Sequence, residues 1–293
     1  MSADGLIVVD KPAGMTSHDV VARIRRLAKT RRVGHGGTLD PMATGVLIIG
    51  VNRATRLLTY VIGSEKSYTA TIRLGQSTIT DDAEGEVVSV SAVDGVTDDA
   101  IRAGLDAQRG EIDQVPSAVS AIKINGQRAY KRVRDGEAVE IPARRVTISR
   151  LDVLAVRRTP SVVDIDVDVT CSSGTYIRAI ARDLGARIGV GGHLTALRRT
   201  AVGGLTLAEA RTLEELEEIA PDVVALPMAE AARQAFPQRQ ATPDEARVLS
   251  HGGPLTPVGI EGPYAVFAPS GDVLAIVSER DGRARAEIVL APA

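Results

Sequence analysis

The chain is poor in cysteine and in aromatic residues. Its 293 residues include one cysteine, Cys171, no tryptophan, five tyrosines and two phenylalanines. A single thiol excludes an internal disulfide framework and fits a reducing compartment. Seven aromatic rings are too few for a broad platform on which successive bases of a single strand would stack, but compatible with a tight pocket for one ring. The four histidines (His18, His35, His193, His251) show no metal-ligand spacing with one another or with Cys171, so no metal site is expected. There is no Gly-Lys-Ser/Thr ending of a phosphate-binding P-loop and no G-x-S-x-G nucleophile elbow. No apolar run approaches the length that crosses a bilayer. The first residues lack the charged start and apolar core of a secretory signal. The expectation is a cytoplasmic protein with no membrane association.

What is present points to a globular protein of one large and one smaller domain, with 44% hydrophobic and 25% charged residues. The net charge of −2 hides an asymmetry. Residues 203–293 hold 14 acidic and 7 basic side chains, a balance of −7, which leaves +5 over residues 1–202. Val21–Arg32 carries six basic residues and no acid, and Lys123, Arg128, Lys131, Arg132 and Arg134 form a second basic group. Such clusters either neutralise phosphates or cover solvated faces.

The densest motif is Gly34-His35-Gly36-Gly37-Thr38-Leu39-Asp40-Pro41-Met42-Ala43-Thr44-Gly45, followed by the apolar run Val46–Ile49. Glycines let backbone approach a ligand, and the proline biases Asp40 away from helix. The reading is either a carboxylate presented on a loop beside a buried element, or an Asp cap on a short helix with Pro41 at its first position. Upstream, Leu6–Val9 is strand-like, Asp10–Gly14 a turn, and Thr16 or Ser17 can cap a helix running to about Lys29. Tyr68–Leu74 alternates as a half-buried strand, with Tyr68, Ala70, Ile72 and Leu74 on one face. Val163–Cys171 alternates with Asp164, Asp166, Asp168 and Thr170, and leads into a helix near Tyr176 that Thr175 would cap, with Arg178 in its first turn. Thr206 to about Ile219 reads as an acidic helix. Tyr264–Phe267, Val273–Val277 and Ala286–Leu290 are strand-like with turns between them, the pattern of a small β-barrel.

The Gly34–Gly45 segment resembles the catalytic-Asp motif of the TruB family of tRNA pseudouridine synthases, G-H-x-G-x-L-D-P-x-A-T-G. Three further segments carry the same resemblance: D-K-P-x-G-x-T-S from Asp10, C-S-x-G-T-Y-I-R-x-I-x-x-D-L-G from Cys171, and H-x-x-x-L-R-R-x-x-V-G from His193. It is strong across about 1–205 and weaker beyond about 235. The implied fold is α+β: a large mixed, mainly antiparallel sheet flanked by helices over 1–232, a thumb-like RNA-closing flap at about 111–145, and a PUA-like barrel over 233–293. The implied reaction is isomerisation of a uridine in the T loop of tRNA, position 55. The glycosidic bond breaks, the base turns and a C–C bond forms. No atom is gained or lost, so no cofactor is expected.

Carried over residue by residue, the resemblance makes Asp40 the indispensable carboxylate, Tyr68 the ring that stacks on the base, and Arg178 the partner that keeps Asp40 ionised and oriented. His35 would fill the space the base leaves. Tyr176, Leu197, Lys11 and Arg56 complete the substrate-binding set, Leu197 as a wall of the base pocket, Lys11 by shaping the site and Arg56 near a phosphate. Asp82 matches an acidic position in a loop that approaches the site. Arg198 and Arg199 either reach phosphates or cover the core edge with their stems. The partner is the T arm of tRNA, with no guide RNA and a monomeric enzyme expected. A different class remains open: an RNA-binding or tRNA-folding factor that needs no chemistry. A hydrolase using Asp40 as nucleophile has less support, since no general base or metal for water is evident.

Overall fold

The computed structural model describes residues 3–117, the backbone of 123–124 and 127–128, and residues 141–291. The flap expected at 111–145 therefore lies largely outside the described residues, and with it Tyr130, Lys131, Arg132, Arg134 and the side chains of Lys123 and Arg128.

In chain order the elements are β1 (Gly5–Lys11), α1 (Ser17–Leu27), β2 (Val33–Gly36), β3 (Thr44–Val51), a 3-10 turn (Asn52–Leu57), α2 (Leu58–Gly63), β4 (Lys66–Leu74), β5 (Gln76–Thr78), β6 (Val87–Val90), α3 (Asp98–Asp106) and β7 (Gly110–Gln114). There follow β8 (Lys123–Ile124), β9 (Gln127–Arg128), β10 (Arg144–Arg158), β11 (Val163–Cys171), α4 (Ile177–Ile188), β12 (Gly192–Val202), β13 (Leu205–Thr206), α5 (Leu213–Glu218), β14 (Leu226–Pro227) and α6 (Met228–Ala235). The last part holds β15 (Gln238–Gln240), α7 (Pro243–Ser250), β16 (Tyr264–Phe267), β17 (Val273–Arg280) and β18 (Arg283–Val289).

The large sheet has the order β14-β1-β3-β12-β4-β11-β10-β7, with β2 beside β3 and β13 beside β12. Its pairings are antiparallel except that of β12 with β3, which is parallel at Arg198↔Thr44 and Arg199↔Gly45. This single parallel contact brings two distant parts of the chain together and sets the floor of the site. At its centre the sheet is buried on one face: Tyr68, Ala70, Ile72 and Leu74 of β4 pack with Val163, Ile165, Val167 and Val169 of β11 against α1, α3 and α4. The opposite face is polar, with Arg73 on Asp164 at 2.7 Å and Thr71 on Asp166 at 2.7 Å. At the β1–β3 end both faces are buried, and the runs Leu6–Val9 and Val46–Ile49 are accordingly apolar without alternation. There the second face meets α6 and the C-terminal sheet through Met228, Ala232, Phe267 and Ile276.

The C-terminal strands form a four-stranded sheet in linear order β15-β16-β17-β18. Asp281 and Gly282, both at positive φ, make the β17–β18 hairpin turn. The acidic helix expected from Thr206 is shorter. Leu205 and Thr206 form β13 instead, and Arg211 donates its N–H to Val8 O and accepts from Asp10 N–H, which ties it to the edge of β1. The helix begins only at α5, behind a Thr212–Glu215 capping box.

Candidate active site

The Asp40 segment is a loop between β2 and β3, not a helix cap: residues 37–43 take no helical or strand structure. Irregular buried backbone needs polar partners, and three buried side chains supply them. Ser17 Oγ accepts the Leu39 N–H at 2.9 Å and donates to the Leu39 carbonyl at 3.1 Å. Thr16, not Ser17, caps α1, through a capping box with Asp19. Lys11, fully buried, donates to the carbonyls of Met15 (2.6 Å), Pro12 (2.8 Å) and Pro41 (3.2 Å). Arg199, 1% exposed, donates from Nε to Val46 O at 2.6 Å and from Nη2 to Gly37 O at 3.0 Å, with Thr38 O at 3.4 Å from Nη1. Gly45 must be glycine: its φ is +95°, and a Cβ there would lie 2.1 Å from the Arg199 carbonyl oxygen.

Asp40 opens onto a cavity of about 250 Å³ lined also by Lys66, Tyr68, Tyr176, Arg178, Leu197 and Arg199. Arg178 Nε lies 3.1 Å from Asp40 Oδ2, and its Nη1 lies 3.3 Å from Asp82 Oδ2 and 2.8 Å from Thr80 O. Arg178 and Asp82 are buried, whereas the Asp40 side chain is 36% exposed. One guanidinium thus bridges a carboxylate that faces the cavity and one that stands behind it. Asp82 is itself fixed by the Glu84 N–H at 3.0 Å and by the Thr80 hydroxyl.

Burial pushes the Asp40 carboxyl above its ordinary range; Arg178 pulls it back, Asp82 pushes it further up and Lys11 pulls it down. Arg178 by itself favours the charged form of Asp40, but the balance with burial leaves the carboxyl raised. Burial also pushes the Tyr68 phenol up, with Arg199 acting against it. Lys66, whose ammonium donates to Ile62 O and Ser64 O, is lowered by burial and by Arg199.

The remaining expected residues divide. Tyr176 lines the cavity and is itself the N-cap of α4. Thr175, expected as the cap, bonds its hydroxyl back to Ser172 O at 2.9 Å instead. The buried Gln114 holds the Tyr176 backbone from both sides, accepting its N–H at 2.8 Å and donating to its carbonyl at 3.2 Å. His35 does not line the cavity; its ring meets His18 edge-on at 5.2 Å, and its buried Nδ1 has no hydrogen-bond partner among the described residues. Lys11 stands behind the loop with its donors directed at carbonyls, so it shapes the site from outside the cavity. Arg56 is displaced furthest from expectation: its guanidinium donates to Val289 O in the C-terminal sheet, away from the cavity. Among the described residues no group of three His, Cys, Asp or Glu side chains could hold a metal ion.

Three family models match in succession: a TruB family pseudouridylate synthase N-terminal domain over residues 25–177, a tRNA pseudouridylate synthase B C-terminal domain over 178–225, and a tRNA pseudouridine synthase II C-terminal domain over 236–291. The chain belongs to the TruB family. It is 58% identical to the tRNA pseudouridine synthase B of Arthrobacter sp. (strain FB24), over 98% of this chain and 97% of that one. It is 57% identical to that of Thermobifida fusca (strain YX), over 99% of each. Among solved structures, the archaeal box H/ACA sRNP Nop10-Cbf5 complex matches with a TM-score of 0.72 at 26% identity, covering 98% of this chain and 86% of that one.

Against this TruB background, two cavity residues take places that the sequence did not indicate: Lys66 had no expected role, and Arg199 serves loop carbonyls. Lys66 lies on the inward face of β4, in line with Tyr68, Ala70, Ile72 and Leu74. Arg199 lies in register with Tyr68 across the β4–β12 pairing. A charged residue on the apolar face of an alternating strand is the available signal, since such residues are rarely buried without a partner.

Proposed function

We propose that this chain isomerises the uridine at position 55, in the T loop of tRNA, to pseudouridine, acting as a cytoplasmic monomer without a guide RNA. The relatives' name, tRNA pseudouridine synthase B, supports tRNA as the substrate class. The observation that carries the reading is the Asp40 carboxylate held 3.1 Å from Arg178 Nε at a cavity also lined by Tyr68. At about 250 Å³ the cavity is smaller than the roughly 300–1,000 Å³ of drug-sized sites and suits a single base.

A uridine in a folded arm must leave its stack to reach such a cavity. Leu197 and Tyr176 then wall the base and Tyr68 stacks on it. His35 supports the loop the base has left. Asp40, ionised beside Arg178, drives loss of the glycosidic bond by attack at C6 of the base or C1′ of the sugar, or by assisting removal of a C2′ proton. The base turns, C5 bonds to C1′ as any bond to Asp40 is released, the C5 proton leaves with the help of Tyr68, and N1 takes up a proton, so that no atom is gained or lost overall. Arg178 orients Asp40 and favours its charged form.

The test is pseudouridine formation in unmodified tRNA transcript under single-turnover conditions, with RNA affinity measured alongside, for the native chain and Asp40→Asn. Product from the native chain alone at matched affinity supports the reading. Equal RNA binding with product from neither would overturn it in favour of an RNA-folding factor.

A further inference from the structure

Arg199 is buried, lines the cavity and finds carbonyl partners where Arg178 finds carboxylates. Its contacts fall on the two feet of the Asp40 loop. Gly37 and Thr38 belong to the foot leaving β2, and Val46 to the foot entering β3. The same side chain is the cross-strand partner of Tyr68. Cross-strand partners project to the same face of a sheet; both side chains line the cavity, and the positive charge of the guanidinium favours the phenolate.

We propose that Arg199 is a positioning residue for the reaction: it fixes the distance between the two feet of the Asp40 loop and sets that loop relative to Tyr68. This rests on the reading of Asp40 and Tyr68 as the reacting groups. The planar guanidinium presents donors in a fixed fork and reaches three carbonyls in different directions at once, whereas a lysine ammonium is a point charge on a flexible stem. Lys11 and Ser17 hold the crown of the loop at Pro41 and Leu39 but neither touches Tyr68. Arg199 is the described side chain that spans both feet and faces the phenol.

The test compares Arg199→Lys and Arg199→Gln with the native chain. The readouts are RNA affinity, single-turnover rate at saturating tRNA transcript per folded molecule, the pH dependence of that rate, and amide hydrogen exchange. The rate is expected to fall by about 100-fold in both variants, the loss typical of a misplacement near 1 Å, with affinity within about threefold. Amides of 37–40 should exchange faster while those of β17 and β18 keep their protection. In Arg199→Gln any limb of the pH profile set by Tyr68 should move to higher pH, because the charge that favours the phenolate is gone; Arg199→Lys should restore that limb in part without restoring the rate. A native-like rate and unchanged exchange at 37–40 in Arg199→Lys would overturn the proposal. So would loss of the folded state in both variants, since the arginine would then hold the sheet rather than the site. Hydrogen exchange reads the loop without any turnover. A native chain that makes no pseudouridine therefore counts against the proposed function, while unchanged exchange counts against Arg199.

Discussion

The Asp40 loop and the C-terminal sheet solve opposite problems. The loop has no regular structure, so its backbone groups find partners one at a time, in Ser17, Lys11 and Arg199. The C-terminal sheet satisfies its backbone by strand pairing and is held by an ordinary apolar core of Val266, Leu274, Ala275 and Val277. Polar pinning needs a particular donor at a particular distance, whereas an apolar core tolerates volume-conserving exchange. The loop should therefore respond to substitution in chemistry, and the C-terminal sheet in stability.

The largest expected effect is at Asp40. Asp40→Asn should lower the single-turnover rate by at least 10²–10⁴-fold, the range for a positioned acid–base group, with RNA affinity little changed. Stability should move the other way. Because the folded carboxyl is raised above its unfolded value, the native chain loses stability as pH rises through that interval. Asp40→Asn should therefore unfold at a higher temperature than the native chain at pH 7, and the difference should close as pH falls below the ordinary carboxylate range. A lower midpoint in thermal denaturation at pH 7 would break the comparison.

Next comes Arg178→Gln. Losing a charge-assisted partner of about 1.5–3 kcal/mol should cost roughly 10–100-fold in rate. The acid limb of the pH–rate profile should shift to higher pH, since Arg178 is the group that pulls Asp40 down. A fall in rate with an unmoved acid limb would separate Arg178 from the Asp40 titration.

Ser17→Ala and Ile276→Val test the two regions at similar cost. Removing the hydroxyl strands the Leu39 N–H and carbonyl, at about 1–3 kcal/mol. Trimming Ile276, fully buried at the C-terminal interface, costs about 0.5–1.5 kcal/mol. Denaturant unfolding should register both, but only Ser17→Ala should slow the chemical step. The smallest effect is at Cys171, whose thiol is pushed up to about 11 by burial in β11. Thiol alkylation at pH 8 should be slow in the folded chain and fast in urea, with the cavity unaffected.

The difference between the regions also governs what was legible beforehand. Irregular, pinned backbone demands a dense run of special residues, so Gly34–Gly45 announces itself as a motif. The C-terminal strands were visible only as short apolar segments between turns, and their pairing order was not. The acidic helix expected from Thr206 starts only at Leu213 because Thr206 pairs with β12 and Arg211 bonds to Val8 and Asp10 of a remote edge strand, and no periodicity within 206–219 encodes that. Nor does the sequence show that Arg56 donates to the Val289 carbonyl, more than two hundred residues away.

By itself the sequence determined the local elements with strict alternation, β4 and β11, a helix start at Thr16 or Ser17, and the presence of one carboxylate in a glycine-rich segment. Those are consequences of period, turn chemistry and residue type within a few positions of one another. Only the tertiary structure decided the geometry by which Arg178 bridges Asp40 and Asp82, and that Lys11 and Arg199 bond the carbonyls of the loop. A buried cation takes whatever acceptor the packed chain leaves within about 3 Å of it, and the parallel seam of β12 on β3 determines which acceptors come within reach.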